Sequence, residues 1–222
     1  MPTTSLPADP TLDEIRIALA PAIAAAAAFD GFSPLAIANA AREAGVDPDV
    51  ASLAFPGGAA DMVDAWFAAV DAEMLERLPA DQLAAMKIRD RITALVEARL
   101  AILAPNRESL RRALGVLALP TNVALAARLG WRAADTMWAA AGDTATDFNH
   151  YSKRAILGSV YAATMAVFLN DESEGHADTR AFLARRIAGV MKFESWKHRR
   201  NAAKRERPSL TRFIGRLRYA GK

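Results

Sequence analysis

The sequence predicts an all-α fold of about ten helices, and three observations carry the prediction. Alanine is abundant while the 222 residues hold only 12 Gly and 11 Pro, a balance that favours helix propagation. Apolar residues recur at helical spacing, as in Met62, Trp66, Val70 and Met74. No segment sustains the every-other-residue alternation of a half-buried strand. Apolar residues make up 52% of the chain, enough at this length to bury a sizeable core and to exclude general disorder.

The elements follow in order. Thr11 with Glu14 forms a capping-box pattern that starts a helix running to about Ala20. Pro21 is expected to kink or end it, because proline removes a donor and crowds the preceding turn. "DGF" turns the chain. Ser33 as N-cap and Pro34 at the first helical position open a second helix that ends near Gly45. Asp47 with Pro48 opens a short third helix to about Phe55, and "FPGG" breaks the chain again. A fourth helix covers Ala59 to Arg77 and is closed by Pro79. Later helices are expected at about 82–103, 107–118, 122–141, 147–170 and 177–203, separated by Pro105, Pro120, "AGD" and "NDESEG". A last short helix covers about 209–220, after Pro208.

Composition narrows the function. Cysteine is absent, so disulfides and thiolate metal sites are excluded and a reducing compartment fits. The opening "MPTTSLPADP" lacks the basic-then-apolar pattern of a signal or transit peptide. The apolar run "ALAPAIAAAAAF" is interrupted by Pro21, and Ala155–Leu169 spans fifteen residues where a membrane crossing needs roughly twenty. Both read as buried helices. The net charge of +3 hides an asymmetry. Residues 192–222 hold eleven Lys/Arg and two Asp/Glu, a balance of +9, while the preceding 191 hold seventeen and twenty-three, a balance of −6. Such a tail points to an anionic partner, nucleic acid or membrane.

"SPLAIANAAREAGVDPDVASLAF" has the outline of a helix-turn-helix and resembles the N-terminal region of the TetR regulator superfamily. A DNA reader needs donors for phosphates and base edges on the second helix. This one carries Asp47 and Asp49 and no Lys or Arg, so a polyanion is repelled. Only Arg42 lies nearby. The motif reads as a retained packing unit.

Reaction chemistry is thin. "PGGAA" lacks the spacing and lysine of a phosphate loop. No pair of Glu-x-x-His motifs marks a di-iron bundle, and no serine sits in a nucleophile elbow. His176 lies in "NDESEGHAD", which reads as a solvated interhelical loop with helix-capping acids. A binding protein without catalytic, metal or cofactor residues is therefore expected. Helix 122–141 offers Leu125, Leu129, Met137 and Trp138, and helix 147–170 offers Ile156, Val160, Thr164 and Val167, beside Gly158, Ser159 and Ala163. The small residues permit either close helix contact or room for a ligand, and simple core packing produces the same periodicity.

The run "DTMWAAAGDTATDFNHYSKRAILGSVYAATMAVFLNDESEGHADTRAFLARRIAGVMKFE" resembles the ubiquinone-biosynthesis family of the ninth Coq protein. The telling pieces are Met137-Trp138, "AGD", "DFN-x-Y-x-KRAIL-x-x-VY", the acidic "DES" turn and "DTRAFLARRI". The similarity continues upstream through "LALPTNVALAARLGW" and "DGFS". The resemblance implies a TetR-like all-α fold without transcriptional activity, a homodimer, and a hydrophobic pocket for isoprenoid or other lipid. It implies delivery of a quinone intermediate to a pathway hydroxylase, in many members a di-iron enzyme. The family's docking region maps by motif onto Asp147, Asn149, Tyr151 and Arg154, and His150 stands where the family usually has Trp. The eight apolar residues above are then candidates for the lipid wall. The domain plan is a flexible 1–10, a helix-turn-helix-like unit 11–78, a lipid-binding and dimerisation region 79–203, and a basic amphipathic helix 204–222. A TetR-like transcription regulator with a hydrophobic ligand is the rival reading. The expected location is cytoplasmic with peripheral membrane association, or the matrix side if the source is a eukaryote with mitochondria.

The tail carries its own signal. "RERPSLTRFIGRLRYAGK" places Leu210, Phe213, Ile214 and Leu217 on one helical face, flanked by Arg212, Arg216 and Arg218 and preceded by Lys204, Arg205 and Arg207. A nucleic-acid arm needs the charges and a packed helix needs the stripe; a helix in an anionic membrane interface needs both.

Overall fold

The computed structural model describes residues 6–7, 9–144 and 148–205. Among them every regular element is helical: α1 (Leu12–Asp30), α2 (Pro34–Ala44), α3 (Pro48–Leu53), α4 (Ala59–Arg77), α5 (Ala80–Ala84), α6 (Ile88–Leu103), α7 (Arg107–Leu117), α8 (Val123–Ala140), α9 (Phe148–Phe168) and α10 (Ala177–Arg205). Single 3-10 turns sit at Ala104–Asn106, Pro120–Asn122 and Glu174–His176. The all-α class predicted from sequence holds. The helix expected at 209–220 lies outside the described residues. Residues to Leu183 form one compact unit and those from Ala184 another, so the later part of α10 is taken by itself.

Two boundaries differ from expectation. Pro21 neither ends nor splits α1, which runs on to Asp30. The capping box is present: Thr11 Oγ1 accepts from Glu14 N at 3.3 Å and Glu14 Oε2 accepts from Thr11 N at 2.8 Å. The Thr11 amide foremost, and the Thr11 hydroxyl that also donates to Glu14 Oε2 at 2.8 Å, hold the Glu14 carboxyl below its ordinary value. Past the cap, proline in a helix interior costs about 3 kcal/mol. Ile15, Leu19 and Ile23 are buried on both sides of it, in a helix that packs on α2, α4 and α7. Each is worth about 1.5–3 kcal/mol, so together they outweigh the proline. Ile17, four residues before Pro21, is exposed, which leaves its carbonyl open to water.

The second difference is the span expected as one helix over 82–103. It is two, α5 and α6, broken between them by residues 85–87. No Pro or Gly marks the break. Arg91 holds it: Nε donates to Met86 O at 2.9 Å, Nη2 to Ala84 O at 3.1 Å and Nη1 to Ala141 O at 2.8 Å. One side chain thus takes up the carbonyls at the end of α5 and at the end of α8.

The centre of the unit is α4, which buries Met62, Val63, Trp66, Phe67, Val70 and Met74. It packs on α1, α6, α7 and α8. A stripe of carboxylates on α4, Asp61, Asp64 and Asp71, meets arginines from three neighbours. Arg99 of α6 is fully buried; it donates to Asp71 Oδ1 and, through Nε at 3.2 Å, to the Tyr161 hydroxyl of α9. The Tyr161 ring lies 5.2 Å from its guanidinium carbon. Arg132 of α8 bonds Asp64 at 2.6 Å and faces Asp71 Oδ2 at 3.3 Å. Arg16 of α1 reaches Asp64 at 3.6 Å. Paired in this way, the buried charges join five helices.

The turn from α9 into α10 is built on Asp171. Its Oδ1 accepts from Ser173 N and Oγ, and its Oδ2 from Thr179 N at 2.8 Å and Oγ1 at 2.5 Å. Ser173 Oγ accepts in turn from Asp178 N. Two amides of the first turn of α10 are thereby satisfied. Burial works to raise the Asp171 carboxyl, but the donors from Ser173 and Thr179 prevail and hold it well below the usual carboxylate range. The sequence reading of this loop as helix-capping acids agrees with the geometry.

Candidate functional site

The site is built on the pair α8 and α9. They run antiparallel: Trp138 Nε1 donates to Lys153 O at 3.1 Å near the connecting turn, and Gly130 meets Gly158 farther along. A Cβ added at Gly158 would lie 3.8 Å from the Gly130 carbonyl and 3.9 Å from Ala134 Cβ. Gly158 therefore serves close helix contact at this crossing, whereas Ser159 is exposed.

The eight apolar candidates divide by burial. Leu129, Met137, Val160 and Thr164 lie buried in the chain's own core, while Leu125, Trp138, Ile156 and Val167 are half-buried. Thr164 spends its hydroxyl proton on Val160 O at 2.7 Å, one turn back, so it keeps no donor for a ligand. Lys153 Nζ lies 5.3 Å from the centre of the Trp138 ring.

The polar-aromatic patch lies at the start of α9. Tyr151 is 60% exposed and Trp131, from α8, is 39% exposed. Their ring centres lie 6.0 Å apart, with His150 5.1 Å from Tyr151 and 6.4 Å from Trp131. Asn149 is exposed beside them. Trp131 was not among the residues singled out from sequence. The signal was a large aromatic on the outward face of a helix, and only the α8–α9 crossing shows that it meets Tyr151. Asp147 lies outside the described residues, as do Leu210, Arg212, Phe213, Ile214, Arg216, Leu217 and Arg218 of the tail.

Arg154 corrects the sequence reading. It is not on the surface with Tyr151 but 4% exposed beneath it. Its Nε bonds Asp135 Oδ1 at 2.5 Å; its Nη1 bonds Asp143 Oδ2 and the His150 carbonyl, each at 3.1 Å. Lys153 Nζ reaches the other Asp143 oxygen at 2.6 Å. Arg154 therefore ties the first turn of α9 to the end of α8 and sets the platform on which His150 and Tyr151 stand.

The helix-turn-helix outline forms as read. Ser33 Oγ accepts from Ala36 N, Gly45 adopts the left-handed conformation that ends α2, and Asp47 caps α3 through Asp49 N at 2.8 Å. The second helix presents Asp49, Val50, Ser52 and Leu53 to solvent, with Ala51 alone buried. Its outward face is acidic and apolar, opposite to what a phosphate backbone requires. Among the described residues no three His, Asp or Glu side chains gather to hold a metal ion, and no single helix is long and apolar enough to cross a membrane.

Residues 123–194, covering α8, α9 and much of α10, match the family model COQ9. The ubiquinone biosynthesis protein COQ9, mitochondrial, of Rattus norvegicus is 43% identical over 96 residues, 43% of this chain and 31% of the relative. That of Xenopus tropicalis is 32% identical over 168 residues, 72% of this chain and 53% of the relative. That of Drosophila melanogaster is 28% identical over 180 residues, 79% and 55%. The matches thus span between a third and about half of these relatives' length. Among solved structures, a TetR transcriptional regulator from Nitrosomonas europaea superposes with a TM-score of 0.61 at 23% identity, over 81% of this chain and 97% of its own. The fold is TetR-like, as expected from sequence.

Proposed function

Residues 123–194 place the chain in the COQ9 family, and on that premise we propose that it serves ubiquinone biosynthesis as a non-catalytic, lipid-binding accessory protein. It takes an isoprenoid or quinone intermediate from an anionic membrane surface and presents it to a pathway hydroxylase. The observation that supports this best is the joining of an exposed aromatic cluster, Trp131, His150 and Tyr151, to the apolar α8–α9 pair within the family-matched segment. Exposed aromatics on a rigid platform suit a protein interface. Leu125, Ile156 and Val167, half-buried on the same helices, suit contact with a lipid chain. Asn149, His150 and Tyr151 form the docking face and Arg154 holds that face in position; Asp147 is assigned to it by the sequence motif alone.

A homodimer fits the exposed side of α9. Ala155, Ser159, Ala162 and Ala166 recur there at helical spacing, small enough for close approach of a second copy. Membrane attachment falls to residues 204–222, where each basic residue near an anionic surface contributes about 1 kcal/mol and the Leu210–Leu217 stripe adds burial. The rival reading, a transcription regulator, is disfavoured by the acidic face of α3. The deciding experiment is extraction of the purified protein and mass spectrometry of what it carries. A stoichiometric isoprenoid or quinone is expected. Protein that carries none, and takes up none from vesicles loaded with a quinone precursor, would refute lipid presentation.

A further inference from the structure

The helix-turn-helix-like segment has lost the charge a DNA reader needs and gained a different surface. Residues 1–78 hold three Lys/Arg and twelve Asp/Glu, a balance of −9. All three arginines are engaged locally: Arg16 with the Ala54 and Asp61 carbonyls, Arg42 with Asn39, and Arg77 with Glu73. On α3, Val50 is 43% and Leu53 62% exposed, flanked by the exposed carboxylates of Asp47 and Asp49. Beside them an open groove of about 400 Å³ lies between the N-terminal arm and the α2–α3 turn. Its walls include Leu6, Pro10, Val46 and Val50, and among the described residues that line it the charged ones are Asp9 and Asp47.

We propose that this face is a docking surface for a cationic amphipathic helix of a partner protein, separate from the α8–α9 patch. Charge complementarity selects the occupant. A nucleic acid or an anionic bilayer is repelled by the carboxylates. A second copy of the same face would bring its own carboxylates against Asp47 and Asp49. A helix with one apolar and one basic side meets both features: its apolar side covers Val50 and Leu53, and its Lys or Arg side chains pair with Asp47 and Asp49. The groove is shaped for one such side chain, whose methylene stem lies on Pro10 and Val50 while its charge meets Asp9 and Asp47.

The test uses the full chain and a synthetic peptide of about eighteen residues, five helical turns, with Lys and Leu in amphipathic order. Controls are a Glu–Leu peptide of the same periodicity and a scrambled Lys–Leu peptide. Calorimetric binding of the Lys–Leu helix alone is expected, with amide-exchange protection confined to the N-terminal arm, the start of α1 and α3. Val50→Ser with Leu53→Ser should weaken it at least about tenfold, the loss of one interface hot spot. Should that pair fail to fold, Leu53→Ser alone serves. Asp47→Asn with Asp49→Asn should flatten the salt dependence, since Asn retains the cap of α3. Unchanged affinity in these variants, protection elsewhere on the chain, affinity that rises about tenfold when the chain's own basic residues 208–222 are deleted, self-association abolished by Leu53→Ser, or tight binding of duplex DNA would each overturn the proposal.

Discussion

Arg154 and Tyr151 lie three residues apart on α9 and should respond to substitution in opposite ways. Arg154→Ala removes a guanidinium that is 4% exposed and bonded to Asp135, Asp143 and the His150 carbonyl. Breaking a buried ion pair from one side costs about 3–5 kcal/mol, because the remaining charge is left in poor surroundings. Here Asp135 is half-exposed and recovers water, and Asp143 keeps Lys153 at 2.6 Å, so the lower end applies, about 3 kcal/mol. Against a total stability of about 5–15 kcal/mol, that is a large share. With a urea slope of about 2 kcal/mol per molar, the midpoint should fall by about 1.5 M at unchanged slope. Arg154→Lys keeps a charge but not the fork that spans two carboxylates, and should lie between the two. Tyr151→Ala removes an exposed side chain and should leave stability within about 0.5 kcal/mol of wild type, a midpoint shift of no more than about 0.25 M. An Arg154→Ala midpoint equal to wild type would refute the platform argument. It would return Arg154 to the surface role that sequence alone gave it.

Three further outcomes follow from the same structure. Tyr151→Ala should weaken association with the pathway hydroxylase by about 2 kcal/mol in a titration, as expected of a central aromatic, with the thermal melt unchanged; an unaffected complex removes Tyr151 from the interface. Asp171→Asn should cost about 2 kcal/mol at neutral pH, because an amide cannot accept from all four donors around both oxygens. The Asp171 carboxyl titrates below its unfolded value, so its contribution is present above about pH 4 and is lost as pH falls below that. Acid titration of stability should therefore be flatter in Asp171→Asn, and parallel curves would count against the cap. Deleting residues 208–222, or making Phe213→Asp with Leu217→Asp, should abolish co-sedimentation with anionic vesicles while leaving bound lipid in place; retained sedimentation would refute the tail assignment.

The local punctuation of the fold was legible in the sequence. Ser33-Pro34, Gly45, Asp47-Pro48 and Pro79 act within a few residues of themselves: α2 begins and ends, α3 begins and α4 ends where those residues say. The misjudged places depend on distant partners. Pro21 reads as a helix breaker because its cost is local, whereas the burial that outweighs it comes from α2, α4 and α7. The α5–α6 break carries no Pro or Gly and is held by Arg91 reaching Ala141, fifty residues on. Within the site, the motif placed His150 and Tyr151 together with Arg154, but a helix turns about 100° per residue. Arg154 thus lies about 60° around the helix from Tyr151, and at the edge of the buried face that step is enough for Tyr151 to meet water while Arg154 meets Asp135 and Asp143. Trp131 joins the patch only through the crossing of α8 and α9.

The buried arrangement of Arg99 with Asp71 and Tyr161 has a consequence for how the chain can vary. Replacing Arg99 alone leaves Asp71 facing only the half-exposed Arg132, and replacing Asp71 alone takes the carboxylate from the buried Arg99. Apolar substitution of both together is close to neutral in comparable settings. Positions 71 and 99 are therefore free to change only as a pair. Single substitutions at either should be absent from functional variants recovered by random mutagenesis, while the Asp71→Leu, Arg99→Met double exchange should reappear among them.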